Sequence, residues 1–242
     1  MKIHDVEQSS PEWYAIRSMI PTASEFDKII TPKTMKLSAQ RHGYACRIIA
    51  ARLMKWQADS LDRIEHIANG KANEPFAVAQ LELVNDVETT PIGFVTTSDG
   101  RFGASPDRVV MRGNLIDTTV EVKCPTIPVQ FERLLFDDAD AYRAQRQGQL
   151  WVAEADKAIF YSFVPGMPAY MAETGRDDAF IKALAAAMEQ FSDELEAMTE
   201  KAKSLGDYAA FASILPPTDV AARAWEGDDA IGGIMSAGNW GG

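Results

Sequence analysis

The sequence predicts a mixed α/β protein in which helices flank one central sheet. Three observations predict it. Apolar residues recur three and four apart in the N-terminal third and again after residue 128. Between those regions lies a β-rich block cut by two turn signals, Ser98-Asp99-Gly100 and Arg112-Gly113-Asn114. Further on, Ala158 to Val164 is apolar and aromatic throughout, the pattern of a strand buried on both faces.

The elements follow in order. Ser10 precedes Pro11, which suits the first helical position, and Trp13, Ile16 and Arg17 follow at helical spacing. Pro21 interrupts, and Thr22 or Ser24 is placed to cap a short helix around Glu25 to Ile30. Residues 37 to 56 read as helix, with Tyr44, Ile48, Ala51 and Met54/Lys55 repeating at three and four. Another helix covers about 62 to 83, and Gly70 sits where it would meet another backbone. Thr89 to Thr97, Gly103 to Met111 and Leu115 to Lys123 read as a three-stranded antiparallel meander. Residues 128 to 154 return to helix, Ala158 to Val164 is the fourth strand, and 177 to 205 is a long amphipathic helix. The expected domain is 1–205. Residues 206–242 form an irregular, Gly-ended tail, with Trp225 and Trp240 placed to dock on a neighbouring subunit or a partner.

Composition narrows the function classes. The 242 residues are 46% apolar and 24% charged, ordinary for a globular domain. No run of roughly 18 apolar residues exists to span a bilayer. The segment MKIHDVEQSSPEWYAIR has no apolar core of signal-peptide type, so a cytoplasmic protein is expected. Two cysteines, Cys46 and Cys124, cannot make a disulfide scaffold or a Cys-rich metal site. His4, His42 and His66 lack metal-ligand spacing.

The net charge of −11 argues against gross attraction to nucleic acid. It hides an asymmetry: residues 28–58 carry seven Lys and Arg and no acid, whereas residues 171–242 carry thirteen acids and five bases. The basic stretch reads either as a solvated helix face or as a surface for phosphates. A local patch can act on an acidic protein because screening cuts exposed charges off beyond about 10 Å.

The chemistry-bearing pattern is Ser105-Pro106-Asp107, thirteen residues, then Glu121-Val122-Lys123. Side chains two apart on a strand share a face, so Glu121 and Lys123 project together and a hairpin brings Asp107 beside them. Two carboxylates and an ammonium on one sheet face suit a divalent cation and phosphodiester hydrolysis. Hard oxygen donors hold Mg²⁺, and an adjacent lysine orients the attacking water, helps deprotonate it or stabilises developing charge. An E-x-K triplet alone equally fits a surface salt bridge across a hairpin.

The pattern S-P-D … V-E-V-K-C-P resembles the PD-(D/E)-x-K nuclease superfamily, and within it the lambda exonuclease and YqaJ-like viral recombinase family. Trp13-Tyr14-Ala15-Ile16-Arg17 … Thr22-Ala23-Ser24 is similar to the family's W-x-x-x-R … T-A-S element. Gly70-Lys71-Ala72-Asn73-Glu74 is similar to its G-x-x-x-E helix, and Ala141 to Gln147, followed by Leu150-Trp151-Val152, to its Y-x-x-Q-x-Q helix. The resemblance runs over about 9–165 and implies a restriction-endonuclease-like core at about 60–165, with a central mixed sheet flanked by helices.

The roles that the resemblance implies are specific. Asp107, Glu121 and the Val122 carbonyl would be metal ligands, and Glu74 would complete a second metal site or hold a metal-bound water. Two Mg²⁺ ions per site are implied, with Mn²⁺ as a substitute. Lys123 would contact the nucleophilic water. Tyr142 and Gln145, three apart and hence on one helix face, would face the water and the scissile phosphate. Arg17 and Ser24 would bind the 5′-terminal phosphate of the DNA, and Lys33, Lys36 or Arg41 would supply a further basic contact. The implied activity is 5′-to-3′ degradation of one strand of double-stranded DNA, with release of mononucleotides. The family also implies a homotrimer around the DNA, a single-strand annealing protein as partner, and a setting in a bacterial host or prophage. Two other readings remain: a same-fold endonuclease or single-strand nuclease, and a non-catalytic DNA-end-binding accessory protein of recombination.

Overall fold

Ser10 stops the extended N-terminal chain. Its Oγ accepts from the Trp13 N–H at 3.2 Å, and Pro11 supplies a helical φ with no amide to satisfy. A computed structural model describes residues 1–55, 65–136 and 142–208. Strand β1 is Lys2–His4 and helix α1 is Pro11–Ser18. A 3₁₀ turn at Ala23–Lys28, a small hairpin of β2 (Ile30–Thr31) and β3 (Lys36–Leu37), and α2 (Arg41–Met54) follow. Helix α3 is Glu65–Asn85; its expected start at 62 lies outside the described residues. Then come β4 (Thr90–Pro91), β5 (Phe94–Thr96), β6 (Gly103–Ala104), β7 (Arg108–Arg112) and β8 (Leu115–Lys123). Helices α4 (Ile127–Phe136) and α5 (Arg143–Val152), strands β9 (Lys157–Ser162) and β10 (Tyr170–Gly175), and α6 (Asp178–Leu205) complete the described chain.

The main sheet has the order β10-β9-β8-β7-β4. Only β8 and β9 run parallel; the other neighbours are antiparallel, so the sheet is mixed as the sequence predicts. The expected three-strand meander is split. Its first two strands each break in the middle, and the inner pieces β5 and β6 leave to form a second sheet with β1. The breaks fall at Pro91-Ile92-Gly93 and Ser105-Pro106-Asp107, where prolines lack a ladder N–H. Gly93 is required there, since a Cβ would lie 2.1 Å from the Val6 carbonyl oxygen.

Alternation on β8 sorts the core. Val120 and Val122 point to α3 and pack with Ala77, Leu81, Ile159 and Tyr161. Thr119, Glu121 and Lys123 therefore point to the other face, toward α5. On that side Phe26, Tyr44, Leu150, Phe180, Leu184 and Phe191 form the larger cluster, joining the 3₁₀ turn to α2, α5 and α6. Gly148 lets the turn sit on α5, because a Cβ there would lie 2.5 Å from the Phe26 ring.

Helix α4 is amphipathic in an inverted sense. Gln130 and Arg133 are buried, while Ile127, Phe131, Leu135 and Phe136 are exposed. The helical region expected over 128–154 is described as α4 and α5, and Ala141 lies outside the described residues. Residues 209–242, with Trp225 and Trp240, also lie outside them. No helix among the described residues is long and apolar enough to cross a membrane.

Candidate active site

The β7–β8 hairpin builds the site. Arg108 pairs with Val120, which puts Asp107 opposite Glu121 in the next register position. The Asp107 Oδ2 accepts from the Val122 N–H at 2.6 Å, fixing the carboxylate at the end of β8. Glu121 and Lys123 share a face, and the Lys123 ammonium donates to Glu121 Oε1. Helix α5 closes over the carboxylate from above. Gln145 Nε2 donates to Glu121 Oε1 and Gln149 Nε2 to Oε2, each at 2.6 Å. The Glu121 side chain is 3% exposed. A buried charge of this kind persists only when paired and hydrogen-bonded, and here a cation and two amides supply that.

The electrostatics are those of a crowded acidic site. Burial, then the charges of Glu121 and Glu74, raise the Asp107 carboxyl well above the usual carboxylate range, against the pull of Lys123. Burial lowers the proton affinity of Lys123, but Glu121 and Asp107 outweigh it and hold the ammonium above the ordinary lysine value. Cys124 is half-buried at the site, and burial pushes its thiol up to about 11.

Asp107, Lys123, Cys124 and Glu74 line one cleft of about 520 Å³, together with Val122, Arg133 and Tyr142. Asp107 and Glu74 also border a second cleft of about 690 Å³ beside Asp5, Glu7 and Gln8. A Cβ built on Gly70 would lie 3.8 Å from the Cys124 carbonyl oxygen, so the N-terminal half of α3 runs close to the end of β8.

The donor set fits a hard divalent cation. Among the described residues Glu121 Oε2 accepts from Gln149 and keeps acceptor capacity, and the repulsion felt by Asp107 is what a cation would relieve. No group of three or more His, Cys, Asp or Glu side chains among the described residues forms a closed cage. Mg²⁺ does not require one, because it keeps several waters and takes only a few protein oxygens. Asp107, Glu121 and the Val122 carbonyl are the groups that would hold it, with Glu74 on the facing wall.

Tyr142 and Gln145 reach the site by different routes. Tyr142 is not on the helical face expected from its spacing: it precedes α5 in a left-handed conformation, φ +59°. Its ring stacks on Phe160 at 5.3 Å between centroids, with the Lys123 Nζ 5.7 Å from its own centroid.

Arg17 and Ser24 are brought together. Arg17 Nη2 donates to Ser24 Oγ at 2.6 Å, with its guanidinium 4.6 Å over the Trp13 ring. Trp13 Nε1 in turn donates to Ser105 Oγ at 2.9 Å, tying this pair to the segment that carries Asp107. Thr22 stands at the start of the 3₁₀ turn but makes no side-chain cap, and Ser24 accepts from Arg17 instead of capping. Tyr44 holds the turn from below. Its buried hydroxyl, pushed up to about 12 chiefly by burial, accepts from the Thr22 N–H at 3.0 Å.

The basic stretch is largely neutralised in space. Arg41 pairs with Glu194 at 2.8 Å and Arg52 with Glu196 at 2.7 Å, both acids on α6. Lys28 and Arg47 share Glu25. Lys33 and Lys36 stand exposed on the β2–β3 hairpin, with no ion pair among the described residues. The free basic patch therefore shrinks from seven charges to a few, because α2 and α6 pack together.

A model of the YqaJ-like viral recombinase domain matches residues 12–156, a span that includes every candidate residue above. The chain belongs to the YqaJ-like viral recombinase family. Among solved structures, this YqaJ-like domain is similar to an alkaline exonuclease, LHK-Exo, from Laribacter hongkongensis. The TM-score is 0.70 at 26% identity, over 81% of this chain and 100% of that one. LHK-Exo in complex with dAMP matches with a TM-score of 0.71 at 27% identity, over the same shares. A phage related exonuclease from Haemophilus somnus 129PT matches with a TM-score of 0.54 at 16% identity, over 76% of this chain and 97% of that one; this likeness bears on the fold alone. No curated protein sequence matches the chain. The mixed sheet flanked by helices is thus the nuclease core that the sequence predicts.

Residues missed by sequence reasoning are Gln149 and Arg133. Gln149 lies four residues after Gln145, so it shares that helical face, and this spacing was the available signal. Arg133 carries no such signal, because its partners come from β9 and from Tyr142.

Proposed function

We propose that this domain is a Mg²⁺-dependent DNA exonuclease of recombination. It degrades one strand of a duplex from its 5′ end, releases mononucleotides and leaves a 3′ single strand for annealing. The observation that carries the reading is the meeting of Asp107, Glu121 and Lys123 at the end of the β7–β8 hairpin, where Asp107 and Lys123 line one cleft and Glu121 is bonded to Lys123, Gln145 and Gln149. Membership of the YqaJ-like family and likeness to an alkaline exonuclease support the reaction class. A crystal of that relative with dAMP supports a mononucleotide as the product class.

The residues divide the work. Asp107, Glu121 and the Val122 carbonyl would hold Mg²⁺, which neutralises phosphate charge and makes a bound water acidic. Lys123, kept charged by its acidic neighbours, donates to the attacking oxygen and offsets developing negative charge. Gln145 and Gln149 stop the Glu121 carboxylate from rotating away. Arg17 and Ser24 take the terminal 5′-phosphate and so set which internucleotide bond lies at the site; a planar guanidinium suits phosphate oxygens. Contacts of this kind carry no base information, so cleavage should be sequence-tolerant. The proposed assembly is a homotrimer around DNA, acting with a single-strand annealing protein. The expected domain at 1–205, with 206–242 as a tail, is part of the same proposal.

The test is digestion of linear against covalently closed circular duplex. The linear form should be degraded and the circle left intact; cutting of the circle would favour a same-fold endonuclease. End recognition gives a second expectation. A 5′-hydroxyl duplex should be degraded about tenfold more slowly than a 5′-phosphorylated one, the scale of one charge-assisted contact. Arg17→Ala should erase that difference, and equal wild-type rates on both ends would contradict the Arg17 assignment.

A further inference from the structure

Arg133 of α4 lies in the candidate cleft without a counter-charge among the described residues. It is 6% exposed and lines the cleft beside Lys123, Asp107 and Tyr142. Its Nη1 donates to Ser162 Oγ at 2.6 Å and its Nη2 to the Tyr142 hydroxyl at 3.3 Å. Both partners are neutral, and they are engaged in turn. Ser162 Oγ donates to Gln130 Oε1 at 2.5 Å, and Gln130 Nε2 donates to the carbonyls of Ser162 and Pro168 at 3.2 and 2.8 Å. The guanidinium carbon lies 5.1 Å from the Phe160 centroid and 5.8 Å from that of Tyr142.

The contrast with the surface arginines is plain. Arg41, Arg52, Arg101 and Arg143 each meet a carboxylate at 2.6–2.8 Å. Arg133, far more buried, meets none among the described residues. A guanidinium cannot shed its proton, so burial leaves it charged. Aromatic faces offset part of the lost hydration, but two neutral acceptors leave three of its five N–H donors for something else. What enters this cleft, on the reading above, is a polyanion.

We propose that Arg133 is a phosphate-binding residue of the cleft, taking a non-bridging oxygen of an internucleotide phosphate of the strand being degraded. This contact is separate from the terminal phosphate assigned to Arg17 and Ser24, and it rests on the DNA reading of the site. The fixed Ser162–Gln130 pair holds the guanidinium in place before DNA arrives. Lys123 Nζ and the Arg133 guanidinium lie 5.7 and 5.8 Å from the Tyr142 centroid, and Lys123 is committed to Glu121 whereas Arg133 is not.

The test is equilibrium binding of 5′-phosphorylated duplex in EDTA, where no turnover occurs, over a range of salt. Arg133→Met should bind about tenfold more weakly, and its slope of log affinity against log salt should fall by about 0.9, the loss of one phosphate contact. Arg133→Lys should restore the slope and only part of the affinity. A Met variant with the wild-type slope would overturn the proposal, since a residue that merely holds Tyr142 would leave the slope alone. If melting shows the Met variant unfolded, the wild-type protein decides. Methylphosphonate at the first or second internucleotide position should weaken binding in EDTA, and unchanged affinity at both would overturn the proposal. Failure of wild type to bind duplex at any salt would instead remove the DNA reading beneath it.

Discussion

Lys123→Ala should lower nucleotide release by about 10²–10⁴-fold while leaving binding to duplex ends close to wild type, the range expected when a positioned proton-transfer or charge-stabilising group is lost. The ammonium is the only cation hydrogen-bonded to Glu121 among the described residues. Removing it takes away a donor for the attacking oxygen without removing the groups that would hold Mg²⁺. The fold should survive, because Gln145 and Gln149 still donate to the Glu121 carboxylate. End binding should survive too, since Arg17 and Ser24 are joined through a separate network. Single-turnover release and a binding isotherm measured on the same preparation check both halves. A variant with near wild-type release would remove Lys123 from the chemistry.

Phe26→Ala should cost about 3–5 kcal/mol of stability, the usual range for emptying a buried phenylalanine site. Phe26 is fully buried where the 3₁₀ turn meets α5, against Gly148 and Trp151. The glycine cannot reach into the cavity, and the turn is pinned elsewhere by Tyr44, so little collapse is available. The consequence reaches function, because the turn carries Ser24 and α5 carries Gln145 and Gln149. Urea unfolding should show the lowered midpoint, and preference for a 5′-phosphate should weaken with it. A wild-type midpoint would contradict this account of how the turn is held.

The meeting of Asp107, Glu121 and Lys123 was legible because it is local: a hairpin of thirteen intervening residues and an alternating strand bring them together with little tertiary help. The long helices were legible for the same reason, and α6 begins within a residue of its expected position. The split of the meander was not. Pro91, Gly93 and Pro106 marked the breaks, but only tertiary pairing with β1 decides where the inner strand pieces go. Strand β10 was missed because it alternates half-buried and exposed positions without an apolar run, as an edge strand does. The basic segment misled because charge counted along the chain ignores α6, whose Glu194 and Glu196 reach back to α2. Arg133 was hidden by the inverted polarity of α4, whose apolar residues face outward.

If the two carboxylates and the amine joined at the end of the β7–β8 hairpin form a metal-dependent site acting at DNA ends, nucleotide release must depend on the cation. The most direct measurement is release of acid-soluble nucleotide from 5′-phosphorylated linear duplex, with Mg²⁺ and with EDTA. Mononucleotide release is expected with Mg²⁺ and none with EDTA. No release from linear duplex with Mg²⁺, or equal release with EDTA, would contradict it.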